Sequence, residues 1–508
     1  MKNILAERLK QIDLKNRFQS FYNIKSNSKL KLIDFGIGQD NSIIENNAIE
    51  KLIKESCSLD NWKYAENGEE SLTKSFIKFA FNQYGISLES SELFLSMGIK
   101  DALNQLAFIL INPGDVVIST TPGYNVFQRK AKMLGGQVRE LEINNENNYL
   151  PDIFTLKEEE LDKVKVVLLN YPNNPTGAKC NKEYISRLVN LANKHDFIII
   201  NDGAYIDLCG SDNPLSFLSV NKSRIIELYS ASKTFGMTGA RLGFVAGNSK
   251  IIKVLKEYRD QENSGQFIPL QLAYKYCLDH VNVNEIRYKY LNRSKIVYDI
   301  MNKLGFYGDK YKGSFYLYFK CPRYIDEEKI ENVTYLANIL KNKYSILIIP
   351  YKSVNCFRVS LTYKNDSDPY ILYHRLKECK IQYWVMAISN GDVNKYKVEI
   401  GLLVLVIISL FLAIDINETL IKIGNQKRNP TTEEQKNIRS KAELISTIYL
   451  VVSVYFSVAA YFDYKKKKSK ANFYFFVAAV FLVIASLLRD YWIKKDTSFD
   501  EGAEDFVL

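Results

Sequence analysis

The sequence has few of the side chains that bind metals or form disulfide bonds. It contains three histidines and seven cysteines among 508 residues, and no two cysteines form a Cys-X-X-Cys pair. Extracellular domains that are stabilised by disulfide bonds depend on closely spaced cysteines, and so do zinc-binding modules. The pattern therefore predicts a reducing compartment and argues against a disulfide framework and against any metal site.

The chain also lacks the features of an exported protein and of a nucleic-acid-binding protein. Residues 1–18 alternate charged and apolar side chains at helical spacing and contain no apolar core of the signal-peptide type. The net charge is +11, but the lysines are scattered, and the one dense run, 465–468, lies between apolar stretches. We therefore predict neither export nor nucleic-acid binding.

The most informative segment is Ser-Ala-Ser-Lys-Thr-Phe-Gly-Met-Thr-Gly-Ala-Arg-Leu-Gly at 230–243. A lysine that attacks an aldehyde needs a pocket that orients the amine and eases its deprotonation, and Lys233 is the candidate. Ser230 and Ser232 precede it, and Arg241 follows eight residues later, as ligands suited to a phosphate. Together these groups suit pyridoxal phosphate held as a lysine Schiff base. Taken alone, the segment is also compatible with an ordinary polar surface turn.

A carboxylate follows an apolar run about thirty residues upstream. Residues 197–200 have the composition of a buried parallel strand, and Asp202 stands just beyond them. Ligands of open α/β sheets bind at this end of the strands. Asp202 would keep a pyridine nitrogen protonated, and Tyr205 would donate a hydrogen bond to the phenolic oxygen of the ring. The alternative is an aspartate that only caps a turn.

A rigid loop, Tyr-Pro-Asn-Asn-Pro-Thr-Gly at 171–177, comes directly after the apolar run 164–169. Two prolines and a glycine restrict its backbone. Asn174 would then contact the ring oxygen from the side opposite Tyr205. The order of this loop, Asp202 and Lys233 along the chain is more specific than any one of them.

Residues from about 31 to 361 resemble a fold-type I, pyridoxal-phosphate-dependent aminotransferase of class I/II, in the branch of the LL-diaminopimelate and aspartate aminotransferases. The resemblance implies a three-layer α/β fold with a large and a small domain. Residues 1–45 would contribute to the small domain, 46–280 would form the large cofactor-binding domain, and 281–383 would complete the small domain. Further matching motifs are Ile33–Gly38, Tyr64 with Gly68 and Leu72, Gly98–Leu103, Pro122–Tyr124, Ser264-Gly265 and Phe357–Leu361.

The resemblance also implies residue roles. The catalytic residues would be Lys233, Asp202 and Tyr205. Arg358 would hold the substrate α-carboxylate with Gly38 and Asn174, while Tyr64 and the Ser264-Gly265 segment would serve the active site of the other subunit in a homodimer. The implied cofactor-binding residues are Tyr64, Gly98, Ile99, Lys100, Tyr124, Asn174, Asp202, Tyr205, Ser230, Ser232, Lys233 and Arg241.

The implied reaction moves an amino group between an amino acid and a 2-oxo acid. The incoming amino acid would displace Lys233, whose freed amine would then act as the general base. Arg358 and the Met237-Thr238-Gly239 motif favour aminotransfer, but relatives of the same fold cleave C–S bonds or decarboxylate. A membrane-anchored scaffold with an inactive fold is a further alternative, and the complete set of cofactor-binding residues argues against it.

Two segments depart from the family pattern. Residues 351–357 form a short segment without glycine, and Lys310–Tyr316 lacks the usual proline before its Phe-Tyr pair. Both would shape the substrate pocket and the mobile small domain. The sequence therefore leaves the amino donor and acceptor open.

The composition changes after about Tyr383. Beyond a linker at 384–399, three charge-free apolar runs at 400–414, 444–462 and 471–488 approach the roughly 20 residues that span a bilayer. Aromatic residues stand near several of their ends, as at membrane interfaces. We predict an all-α transmembrane tail that ends in an acidic segment, 491–508. Three buried helices of a soluble bundle are the alternative.

The sequence does not decide the orientation of the tail in the membrane or its origin. The lysine run 465–468 predicts a multi-pass membrane protein with its catalytic domain in the cytoplasm, whereas six lysines and arginines in 415–443 oppose that orientation. Residues 386–399 also have the composition of a new polar N-terminus. The chain is therefore either a natural fusion or two neighbouring reading frames joined together.

Overall fold

The computed structural model describes residues 30–383, 390–466 and 470–495, together with Arg8. The chain divides into two compact units, Met1–Trp384 and Val385–Leu508. The predictions for the helical pattern at 1–18, for the linker at 384–389 and for the acidic tail beyond 495 lie outside the described residues.

Fifteen strands, all in the first unit, are described. They are β1 (Ile33–Asp34), β2 (Leu93–Ser96), β3 (Val116–Thr121), β4 (Gln137–Glu142), β5 (Val164–Leu169), β6 (Ile198–Asp202), β7 (Ile225–Ser230), β8 (Gly243–Gly247), β9 (Tyr316–Lys320), β10 (Tyr324–Ile325), β11 (Glu328–Lys329), β12 (Ile346–Leu347), β13 (Ile349–Tyr351), β14 (Cys356–Ser360) and β15 (Ile381–Gln382).

The α-helices of the first unit are α1 (Asn46–Ser56), α2 (Glu70–Tyr84), α3 (Ile99–Leu110), α4 (Val126–Met133), α5 (Glu158–Leu161), α6 (Lys182–His195), α7 (Ala231–Thr234), α8 (Ser249–Glu262), α9 (Ile268–His280), α10 (Val283–Lys303), α11 (Val333–Tyr344) and α12 (Asp368–Leu376). The second unit contributes α13 (Asn390–Asn425), α14 (Thr432–Lys466) and α15 (Lys470–Lys495).

A seven-stranded sheet with the order β2-β8-β7-β6-β5-β3-β4 forms the centre of the first unit. Strand β8 runs antiparallel to both of its neighbours, and the other adjacent pairs are parallel. Because β5, β6 and β7 are adjacent and parallel, their carboxyl ends meet at one edge. This topology brings the loop at 171–177, Asp202 and the segment from Ser230 together.

Helices cover both faces of this sheet. One core joins α2 and α6 to the sheet through residues such as Phe76 and Leu188, and a second core joins α3 and α8 to the other face through Leu103 and Leu255. Strands buried on both faces explain the apolar runs in β5 and β6. The predicted three-layer α/β fold is confirmed.

A smaller sheet, β13-β14-β9, carries its own core with α10, α11 and α12. Strand β1 pairs in parallel with β12, with Ile33 opposite Ile346, so the N-terminal segment joins this part of the chain. The Ser360 N–H donates to the Phe35 carbonyl at 2.6 Å and continues that attachment. The segment that follows β1 is thereby held beside strand β14, which carries Arg358.

The three helices of the second unit are longer than the apolar runs. Helix α13 has 36 residues and spans about 54 Å, and only residues 426–431 separate it from α14. Most of the segment 415–443, which lies between the first and second apolar runs, is therefore helical. Ion pairs, and the packing of Ile416 against Ile438 and Ala442, stabilise the parts of the two helices that extend beyond the apolar runs. By length and composition, Val398–Asn425, Thr432–Lys465 and Asn472–Lys495 are able to cross a membrane.

Candidate active site

A cavity of about 790 Å³ opens at the carboxyl edge of the large sheet and reaches the small sheet. Eleven of the residues predicted from the sequence line it. They are Ile99, Lys100, Tyr124, Asn174, Asp202, Tyr205, Ser230, Ser232, Lys233, Arg241 and Arg358. Residues more than 250 positions apart in the chain thus converge on one site.

Lys233 lies in the short helix α7, directly after strand β7. Ser230 accepts a hydrogen bond from the Ser232 N–H at 3.2 Å and caps this turn. The Lys233 Nζ donates to the Gly38 carbonyl at 2.7 Å. Burial lowers the pKa of Lys233, and the charges of Arg358 and Arg241 lower it further against the opposing effects of Tyr316 and Asp202. A lowered pKa favours the neutral amine that a nucleophile or base requires.

Asp202 ends strand β6 and is 4 % exposed. Its carboxylate accepts a hydrogen bond from the Ala204 N–H at 3.2 Å, and its backbone carbonyl accepts one from Asn170 at 2.7 Å. Burial raises the pKa of Asp202 to about 6, although the Ala204 hydrogen bond and the charge of Lys233 oppose the change. A buried carboxylate that faces a cavity is stabilised by a cationic N–H group in that cavity.

The opposite end of the site is suited to an anion. Gly98 has φ +76° and precedes helix α3, and a Cβ atom at Gly98 would lie 2.8 Å from Arg241 Nη2. Only glycine therefore allows this guanidinium to approach the helix N-terminus, where backbone N–H groups attract negative charge. The buried hydroxyls of Ser230 and Ser232 line the same region of the cavity.

Arg358 projects from strand β14 of the small sheet. Its Nη1 donates to the Asn174 side-chain oxygen at 2.8 Å, and its Nη2 donates to the Gly36 carbonyl at 2.7 Å. The centre of the guanidinium lies 3.9 Å from the centroid of the Tyr316 ring. These contacts fix the plane of the guanidinium, which is the geometry required for two-point binding of a carboxylate.

Tyr316 is a site residue that the sequence did not identify. Its hydroxyl lies 2.9 Å from that of Tyr205, and both tyrosines are buried. Burial raises the pKa of Tyr316, but the charges of Arg358 and Lys233 and the Tyr205 hydrogen bond outweigh it, so the net pKa is lowered. Burial and the same pair interaction raise the pKa of Tyr205. The available signal was the position of Tyr316 in the segment that departs from the family pattern.

Three predicted residues do not line the cavity: Gly98, which lies against Arg241, Gly38 and Tyr64. Gly38 contributes the carbonyl that accepts from Lys233. Tyr64 is 90 % exposed and lies outside the cavity. It belongs to the same surface as Ser264-Gly265, because the Gly265 N–H donates to the Ala65 carbonyl at 3.2 Å.

The residues of the cavity fit pyridoxal phosphate. Asp202 would serve the ring nitrogen, the groups around Gly98 and Arg241 would hold the phosphate, and Lys233 would meet the aldehyde. The volume is within the range of pockets that hold drug-sized ligands. The buried Asp202 carboxylate lines the cavity and is the most specific part of this fit, since a cationic N–H group there would stabilise its charged form.

Comparisons with known proteins agree with this geometry. The family described as "Aminotransferase class I and II" matches residues 31–372. An LL-diaminopimelate aminotransferase from Methanocaldococcus jannaschii is 38 % identical over 304 residues, which cover 59 % of this chain and 73 % of that relative. One from Methanococcus maripaludis is 35 % identical over 373 residues, 70 % of this chain and 90 % of the relative.

The solved structure of an aminotransferase from Staphylococcus aureus superposes with a TM-score of 0.68 and 27 % identity, covering 74 % of this chain and 98 % of that one. The predicted fold, cofactor and enzyme class are confirmed, and the lyase, decarboxylase and scaffold alternatives lose their support. The chain belongs to the class I and II aminotransferases, and it is a pyridoxal-phosphate-dependent aminotransferase.

Proposed function

We propose that this chain transfers an amino group between a long diamino dicarboxylic acid of the LL-diaminopimelate type and a 2-oxo acid, and that it does so at a membrane. The observation that carries the reaction is the convergence of Lys233, Asp202 and Arg358 on one cavity. The similarity to two LL-diaminopimelate aminotransferases supports the substrate class.

Lys233 is the base in this proposal. When bound, pyridoxal phosphate supplies the electron sink that makes the α-proton of an amino acid acidic. The Lys233 amine is held by the Gly38 carbonyl at 2.7 Å and has a lowered pKa because it is buried. A lowered pKa makes the neutral amine, the form that can accept a proton and return it to a neighbouring carbon, more accessible. Asp202 would hold the cofactor through its ring nitrogen and keep that nitrogen protonated.

Arg358 and Asn174 determine how the amino acid is oriented. The guanidinium already bonds to the Asn174 side-chain oxygen and to the Gly36 carbonyl, so it presents a fixed edge to the cavity. A carboxylate held there would be kept away from the reacting position, so that the Cα–H bond rather than the bond to the carboxylate would be presented to Lys233 on the same cavity. This orientation favours transamination over decarboxylation.

The test uses the full chain purified in detergent with the cofactor. Formation of glutamate or another amino acid from LL-diaminopimelate and a panel of 2-oxo acids is expected for the wild type and absent for Lys233→Ala. Lys222→Ala is the matched control, because Lys222 pairs with Glu92 outside the cavity. A wild type that processes short amino acids but rejects diaminopimelate would contradict the substrate class alone.

A homodimer is the second part of the proposal. Tyr64 and Gly265 share one surface and Tyr64 does not contact its own cavity, as expected if they serve the site of a second copy. Mixing inactive Tyr64→Ala and Lys233→Ala chains should restore about a quarter of the wild-type activity, because half of the dimers are mixed and each has one intact site. Mixtures that stay inactive would contradict this arrangement.

Membrane attachment through α13, α14 and α15 is the third part. Their apolar segments match the roughly 20 residues that cross a bilayer. In native cells an immunoblot against the catalytic unit should detect the full-length chain in the membrane fraction after alkaline carbonate extraction. A soluble fragment of aminotransferase size in its place would show that the fusion does not exist as one protein.

A further inference from the structure

The cavity extends beyond Lys233 and Arg358 to three charged residues at its mouth. Arg129 lies on helix α4, Glu140 on edge strand β4 and Lys352 in the turn after β13. Two of them belong to the large sheet and its helices, and one belongs to the small sheet. Within 30–383, where the structure describes the first unit, none of the three forms an ion pair with another side chain.

These residues lie close to the part of the cavity where the reaction would occur. Lys352 directly follows Tyr351, whose hydroxyl lies 3.4 Å from the Asn174 oxygen that accepts from Arg358. Burial raises the pKa of Tyr124 to about 12, and Arg129 is among the positive charges that oppose this effect. Arg129 is therefore close to Tyr124, which also lines the cavity and stands five residues earlier in the chain.

The charges at the mouth differ from those around Arg358. Two cations and one carboxylate face the same opening, so a substrate end with one negative and one positive group would complement them. Glu140 would repel a substrate end that carries only a carboxylate. The two cations would repel a substrate end that carries only an ammonium group. Apolar ends would leave all three charges without a partner.

We propose that Arg129 and Lys352 bind the distal carboxylate of the substrate and that Glu140 binds its distal ammonium group. The site then selects amino acids that carry an amino group and a carboxylate at both ends. This assignment rests on the proposed aminotransfer at Lys233 and specifies its substrate class. Because two of the residues are on the large sheet side and Lys352 is on the small sheet side, the distal end would also bridge the two.

Binding of unreactive acids tests the assignment without catalysis. Pimelate carries two carboxylates, whereas hexanoate carries one and reaches only Arg358. For the cofactor-loaded full chain, the Arg129→Gln/Lys352→Gln variant should raise the calorimetric Kd of pimelate about 10-fold and leave that of hexanoate unchanged, since exposed charge pairs contribute modestly. Lys130→Gln is the matched control, because Lys130 lies over the Phe108 ring and does not line the cavity.

Glu140→Gln tests the other half of the assignment. Removing this carboxylate should lower the Kd of pimelate, because it relieves repulsion. It should also raise the KM of LL-diaminopimelate about 5-fold relative to that of 2-aminopimelate, which lacks the distal amine. Unchanged pimelate binding in both variants would overturn the assignment even if Lys233-dependent aminotransfer is intact. Loss of Lys233 dependence with altered pimelate binding would overturn the proposed function and leave the distal site standing.

Discussion

A single methyl group at Gly38 is expected to disrupt the active site. A Cβ atom at this position would overlap the hydroxyl oxygen of Tyr316 and lie 2.7 Å from its Cζ, whereas ordinary contact begins at 3.4 Å. Because the overlap with the hydroxyl oxygen is larger than that with Cζ, the ring or the 36–38 segment must move by more than about 1 Å. Such a movement breaks contacts on either side of the cavity.

Both partners are held in place. The Tyr316 hydroxyl lies 2.9 Å from that of Tyr205, and the Gly38 carbonyl accepts from Lys233 at 2.7 Å. The Thr362 hydroxyl donates to the Ile37 carbonyl at 2.7 Å and also holds the 36–38 segment in place. Overpacking of this kind costs about 1–3 kcal/mol of folding free energy. If Lys233 moves by about 1 Å with this segment, we expect kcat/KM to fall about 100-fold.

Gly239→Ala is the matched control, because a Cβ atom at Gly239 meets nothing within 4 Å. The assays are steady-state kinetics with a fixed amino donor and thermal unfolding of the full chain in detergent. We expect Gly38→Ala to lose activity and stability while Gly239→Ala keeps both. Equal behaviour of the two variants would refute the steric argument.

Three further substitutions test individual contacts. The raised pKa of Asp202 means that its contribution to stability without cofactor is lost as the pH rises from about 4 through about 6, a total of about 3 kcal/mol. Asp202→Asn should thus unfold at a higher temperature than the wild type above pH 6 and retain cofactor less well; identical pH profiles would contradict this. Arg358→Lys should raise the KM of the amino donor about 10- to 100-fold by loss of two-point binding, while Arg139→Lys, at an exposed ion pair, should not. Tyr316→Phe should shift the alkaline limb of kcat/KM to higher pH, since the lowered pKa of that phenol is then removed; a superimposable profile would show that Tyr316 does not titrate there.

The sequence predicted the fold and named many residues that line the cavity, because the informative groups are tied to local patterns. Asp202 and Ser230 each follow an apolar strand, and the parallel order of those strands then places them at one edge. The resemblance also pointed to Arg358, although nothing around it in the chain indicates that it reaches Asn174. The family motif thus indicated Arg358, although its contact with a distant part of the chain could not be predicted from the local sequence.

The remaining features depend on packing that no local pattern encodes. Tyr316 is one of 34 tyrosines, and only its position against Tyr205 and Arg358 distinguishes it. The mouth residues Arg129, Glu140 and Lys352 look like ordinary surface charges until the fold places them on one cavity. Helices α13 and α14 extend past their apolar runs because ion pairs and Ile416 contacts continue between them, which composition alone does not show.

The most direct test of the account is the absorbance of the full chain with pyridoxal phosphate, measured beside Lys233→Ala during titration with LL-diaminopimelate. We expect a long-wavelength band that requires Lys233 and that decreases as the amino acid transfers its amino group, with recovery on addition of a 2-oxo acid. A band that is the same in both proteins, or one that no amino acid changes, would contradict aminotransfer at Lys233.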